Sequence, residues 1–106
     1  MTAEASARIR ALLADSLAVW KVRGNVTPGE PPADAVIHAE NGTVVWVEPA
    51  QAPDAPIRWW VRWHEPGGAP RSRPCASAVG LLRTVREALG AGNGYRLRIA
   101  PAPGNA

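Results

Sequence analysis

Residues 36–48 read Val36-Ile37-His38-Ala39-Glu40-Asn41-Gly42-Thr43-Val44-Val45-Trp46-Val47-Glu48, two β-rich runs on either side of an Asn-Gly pair. Asn-Gly supplies the two positive φ angles that a two-residue type I′ turn requires, and the twist of that turn matches the twist of the strands it joins. The spacing therefore predicts a β-hairpin. Counting outward from the turn pairs Glu40 with Thr43, Ala39 with Val44, His38 with Val45, Ile37 with Trp46 and Val36 with Val47. Each pair shares one face of the sheet. Ile37 and Trp46 become a core pair in this register, and His38 falls on the other face between Val36 and Glu40.

Downstream, Ile57 to His64 is the strongest strand by composition. Ile57, Trp59, Val61 and Trp63 alternate onto one face, and Arg58, Trp60, Arg62 and His64 onto the other. The stretch Glu65 to Pro74, with Gly67-Gly68 and then Arg71 and Arg73, reads as a solvated connector, with a mobile loop that contacts an anion or a protein partner as the alternative. Ser77 can cap a helix reaching Leu89, with Val79, Leu82, Val85 and Leu89 as its apolar stripe and Arg83 and Glu87 paired on the opposite side. Gly90 then stops the helix. Tyr95, Leu97 and Ile99 alternate with Arg96 and Arg98, which predicts a last short strand.

Upstream of the hairpin, Ala5, Ile9, Leu12 and Leu13 recur at helical spacing from Ala3 to about Asp15, with Thr2 as N-cap and Glu4 one turn before Arg8. After Ser16 the period changes to two. Ala18, Trp20 and Val22 alternate with Val19, Lys21 and Arg23, the pattern of a half-buried strand ending near Gly24. Prolines are confined to the segments between these elements and to the end of the chain, where a missing N–H does no harm.

Two amphipathic helices cannot bury their stripes on each other and also cover a sheet carrying Trp20, Ile37, Trp46, Trp59, Trp63 and Leu97, so both are placed on one face of it. The expected fold is a single α+β domain over residues 1–100 with a flexible Pro/Gly tail at 101–106. It is a two-layer sandwich with an about five-stranded, mostly antiparallel sheet in the order α-β-β-β-β-α-β. The return from Ile57 through the second helix to Ile99 fits a right-handed βαβ crossover, with an antiparallel return as the alternative.

Composition narrows the function classes. The chain has 106 residues, 46% hydrophobic and 20% charged, with a net charge of +3, so it carries enough apolar material for one core and too little charge for wholesale disorder. Cys75 is its only cysteine, which removes an intramolecular disulfide and a cysteine zinc framework. No basic-then-apolar leader opens the sequence, and no apolar run approaches the roughly 18 residues that span a bilayer. A cytoplasmic protein without membrane association is the expectation.

With the helices on one face, alternation gathers Lys21, Arg23, Arg58, Arg62, Arg96 and Arg98 on the other, six of the twelve basic residues. Trp60 sits among them with His64 next in line, a composition suited to stacking nucleic-acid bases. The same residues also suit a solvated face in which arginine stems pack on tryptophan, or a face covered by a second copy of the protein together with Val36, Val45 and Val47. Nothing resembles the Phe/Tyr-rich signature of the RNA-recognition motif, since the chain has no Phe and one Tyr.

Chemistry finds little foothold. Cys75 lies just before a helix N-terminus with Arg71 and Arg73 nearby, which would lower a thiol pKa, but no motif supplies a base and an orienting acid. His38 and His64 lack close His or Cys partners, so a metal site would need Glu40 or Glu65 from distant strands. Gly90-Ala91-Gly92-Asn93-Gly94 follows a helix and opens a strand, the reverse of a phosphate loop. The reading is a non-enzymatic interaction module without cofactor that binds another protein or itself. Nucleic-acid binding through the basic face comes second, and a small enzyme using Cys75 or His64 a distant third.

Overall fold

In a computed structural model the described residues are 3–51 and 55–90. The strand expected at Tyr95–Ile99, with Arg96 and Arg98, and the tail at 101–106 lie outside them. The elements are α1 (Ala3–Trp20), β1 (Gly24–Thr27), β2 (Ala35–Ala39), β3 (Val44–Pro49), β4 (Trp59–His64), β5 (Arg71–Cys75) and α2 (Ala78–Ala88). All five strands pair with their sequence neighbours, antiparallel throughout, in the order β1-β2-β3-β4-β5. Both helices contribute to one core on one face of this sheet, so the two-layer α+β sandwich expected from the sequence is the architecture observed.

The first correction concerns α1, which continues through Trp20 where the sequence predicted a strand. Leu13, Ser16 and Leu17 are its buried residues and Trp20 packs against the same core, so the stripe begun at Ile9 keeps a 3.6-residue period. The Ser16 hydroxyl donates to the Leu12 carbonyl at 2.8 Å and so spends its polarity within the helix. Lys21 ends the helix at φ +58°. Its N–H reaches the Ala18 carbonyl at 3.2 Å, and the Val22 N–H reaches Leu17 at 3.0 Å, the paired bonds of a Schellman cap. The strand then starts at Gly24, where an added Cβ would lie 2.6 Å from the His38 carbonyl oxygen; only glycine lets β1 approach β2 this closely.

The hairpin exists, but its register is moved by one residue. Val36 pairs with Trp46, Ile37 with Val45 and His38 with Val44. Gly42 alone has a positive φ, +94°, while Asn41 does not adopt the second one that a type I′ turn requires. Instead Gly42 N–H donates to the Ala39 carbonyl, Ala39 N–H to the Thr43 carbonyl, both at 3.0 Å, and the Asn41 side-chain oxygen accepts from Thr43 N–H at 2.9 Å. These bonds close a three-residue loop over Glu40, Asn41 and Gly42. A one-residue slip sends every side chain to the other face. Val45 and Val47 therefore enter the core at 0% exposure beside Ile37, and Trp46 leaves it.

The connector expected from Glu65 to Pro74 is also revised. Gly68 N–H closes a tight turn onto the Glu65 carbonyl at 2.8 Å, with Pro66 and Gly67 (φ +74°) at its centre, and the chain then adds β5 to the sheet. Among the described residues β5 is an edge strand, where Pro74 is tolerated, and Arg71 and Arg73 are exposed along it.

Ser77 caps α2 as expected, accepting from Gly80 N–H at 3.0 Å. The buried stripe is Leu81, Thr84, Val85 and Ala88, not one running through Val79 and Leu82, and Glu87 pairs with Arg73 of β5 at 3.1 Å in place of Arg83. Burial of each fully enclosed Val, Leu or Ile stabilises the fold by about 1.5–3 kcal/mol, and Leu13, Ile37, Val45, Val47, Val61, Leu81 and Val85 are enclosed to this degree.

Candidate open-face site

Strand pairing lays out the face that neither helix covers. One row across the sheet runs Thr27, Val36, Trp46, Arg62, Ser72; a second runs Asn25, His38, Val44, His64; a third runs Glu48, Trp60, Pro74. Trp60, Arg62 and His64 share this face, as alternation along β4 predicts. Trp46 joins them only because of the hairpin's true register. Its ring lies 5.4 Å from the His64 ring, centroid to centroid, at an interplanar angle of 36°.

The remaining basic residues named by the sequence do not gather around Trp60. Lys21 caps α1. Arg23 lies before β1, which β2 and β3 separate from β4, with Nη1 3.8 Å from Glu40 Oε2. The Arg58 guanidinium stacks 4.6 Å from the centroid of Trp59, a core residue, and so caps the core edge. Arg62, the register partner of Trp46, donates from Nε to Glu48 Oε1 at 3.1 Å and is thereby ion-paired. The open face is thus centred on aromatic side chains, and the six-cation patch expected from alternation is not formed by Lys21, Arg23, Arg58 and Arg62. Arg96 and Arg98 lie outside the described residues.

Two shallow grooves meet at Trp46. The first, of about 420 Å³, lies toward β5 and is lined by Trp46, Glu48, Arg62, His64, Arg71 and Ser72. The second, of about 490 Å³, lies between the sheet and the loop from Pro28 to Ala33, over Val36, His38, Trp46 and Glu48. That loop is fastened at its end. Asp34 accepts from the Ser6 hydroxyl at 2.7 Å and from Arg10 through its carbonyl at 3.0 Å, and its N–H donates to Val47 at 2.8 Å. Sequence reasoning missed Trp46, Ser72 and this loop, and placed Arg71 in a connector instead of a strand. The available signal was the Val45/Val47 alternation, which favours a three-residue turn because it buries two β-branched residues in place of one indole.

For chemistry the arrangement offers little. Cys75 is buried, its Sγ 3.5 Å from Thr84 Oγ1 beneath α2, and faces neither groove. His64 contacts Trp46 and places Nδ1 3.4 Å from the Glu65 carbonyl, with no carboxylate beside it to orient the ring. His38 and His64 share a face but are separated by β3, and among the described residues no three His, Cys, Asp or Glu side chains converge as a metal site requires. No helix among these residues is long and apolar enough to cross a membrane. No family model, curated protein or solved structure matches the chain.

Proposed function

We propose that this protein is a non-enzymatic interaction module that associates with a second copy of itself through the open face of its sheet. The observation that carries the reading is the position of Trp46. With Trp60 and Val44, all three half-buried, it puts an apolar centre on the face that neither helix covers, and apolar surface of this kind is stabilised by packing against a second layer. The Arg62–Glu48 pair suits a two-fold contact, since it brings both signs of charge to the same patch and can meet its own symmetry mate without net repulsion.

Nucleic-acid binding has one observation in its favour, the second indole and its contact with His64. Against it, Arg62 pairs with Glu48, Arg23 faces Glu40 and Arg58 lies on Trp59, which leaves Arg71 as the one cation of the Trp46 groove without an ion pair among the described residues, too few for a phosphate track.

Sedimentation equilibrium tests the proposal. The expected mass is twice the 11.2 kDa of one chain, falling to one chain in Trp46→Arg and Trp60→Arg with circular dichroism unchanged. A monomeric parent protein, or variants that keep the parent mass, would overturn it. Saturable tryptophan quenching by single-stranded oligonucleotides at physiological salt would move the reading to the nucleic-acid alternative.

A further inference from the structure

On the other side of the sheet the helix layer carries a second apolar surface. Leu12, Val19 and Trp20 of α1 and Leu82 of α2 line a groove of about 470 Å³ between the two helices. Val19 is 77% exposed, and Val79, one turn before Leu82 on α2, is 66% exposed. Helix α2 thus carries apolar side chains beyond its buried stripe. Leu81, Val85 and Ala88 face the core, Leu82 packs against its edge with part of its side chain open to the groove, and Val79 is left at the surface.

The charges along this groove are specific in placement. Arg83 and Arg86 stand on the α2 wall and Asp15 on the α1 wall. None of the three has an ion-pair partner among the described residues, whereas Arg8, Arg23, Arg62 and Arg73 all do. Two unpaired guanidiniums against one carboxylate leave the groove net positive over an apolar floor.

We infer that this groove docks an amphipathic helix of another protein, one with an apolar ridge and acidic flanks. Neighbouring helices leave a furrow between them into which the ridge of a third helix fits, and Leu12 to Trp20 provides about 12 Å of floor at about 1.5 Å per residue, enough for two turns of a guest. Acidic residues three or four apart on the guest match the i, i+3 spacing of Arg83 and Arg86. The groove and the open sheet face lie on opposite sides of the molecule, so the two contacts do not compete, and a sheet-to-sheet dimer would present two such grooves outward.

The test uses two fluorescein-labelled synthetic helices with leucine at i, i+3, i+4 and i+7, one flanked by glutamates and the other by lysines, with binding read by anisotropy. The expected result is a preference for the glutamate peptide of about tenfold or more, inverted in the Arg83→Glu/Arg86→Glu protein. Val19→Gln, which alters an exposed side chain only, should weaken that peptide several-fold without changing circular dichroism. Failure of both peptides to bind, equal binding of the two, or a preference that survives the arginine reversal would overturn the inference. A fall in the protein's own mass on Val19→Gln would overturn it too, because a second copy would then be the occupant. Repeating the titration on Trp46→Arg separates this inference from the sheet-face proposal, since that variant alters the mass and leaves the groove intact.

Discussion

Substituting threonine for valine at two adjacent positions, Val44→Thr and Val45→Thr, tests the register on which the open-face site depends. The exchange is nearly isosteric, so it opens no cavity and forces no repacking; it replaces one methyl with a hydroxyl. Val45 has 0% exposure and sits in the core cluster with Ile37 and Trp63, where apolar side chains surround the new hydroxyl. A buried hydroxyl without a partner costs about 1–3 kcal/mol in proteins. Val44 is half-buried on the open face between His38 and His64, where water and the imidazoles can serve the hydroxyl. Its expected change is within about 0.5 kcal/mol. For a domain of this size about 1 kcal/mol moves Tm by about 4–8 °C, so Val45→Thr should melt well below the parent and Val44→Thr close to it. Far-UV circular dichroism in urea and on heating reads both. If Val44→Thr proves the more costly of the two, the two-residue turn is the true one, Trp46 belongs to the core, and the site described around it does not exist.

Gly42→Ala should cost more than Gly67→Ala. Both positions have positive φ, worth about 1–2 kcal/mol to an L-residue, but a Cβ at Gly42 would also lie 2.6 Å from Pro66 Cγ whereas none lies within 4 Å at Gly67; equal urea midpoints for the two would refute that contact. Lys21→Gly should raise Tm by the equivalent of up to about 1 kcal/mol, since lysine occupies the left-handed cap of α1 at φ +58°; a lowered Tm would mean that the lysine side chain stabilises the cap by more than its strain. Ser77→Ala removes the acceptor for Gly80 N–H and should destabilise the protein by about 1 kcal/mol in thermal unfolding, an effect that Ser77→Asp should largely restore.

The layers of this fold were legible because they follow from apolar periodicity: α2, β4 and the hairpin all lie where their residues predict. What was not legible came from choices that periodicity leaves open. Ala18, Trp20 and Val22 satisfy a strand's alternation, yet Leu13, Leu17 and Trp20 also satisfy a helix's, and long-range packing of that stripe on the sheet selected the helix. Asn41-Gly42 marks a turn in either register, and the burial of Val45 and Val47 decided between them. Arg71-Ser72-Arg73-Pro74 has no apolar face at all, so only its pairing with β4 makes it a strand. The candidate site inherited these ambiguities. Its β4 members were readable from alternation, whereas Trp46, Arg71 and Ser72 depend on register and pairing that no local pattern encodes.

Cys75, sequestered where β5 meets α2, gives the molecule a built-in clock. It is the only thiol in the chain and is 4% exposed, so a thiol reagent reaches it only in those moments when α2 lifts from the sheet or the whole domain opens. Labelling followed against reagent concentration therefore reads the free energy of that opening without any engineered probe. An occupant that bridged α1 and α2 would hold α2 down and slow the clock, whereas a contact confined to the far side of the sheet would hold the strands and leave the lifting of α2 largely unchanged. One native side chain can thus report which side of the protein a bound partner has taken.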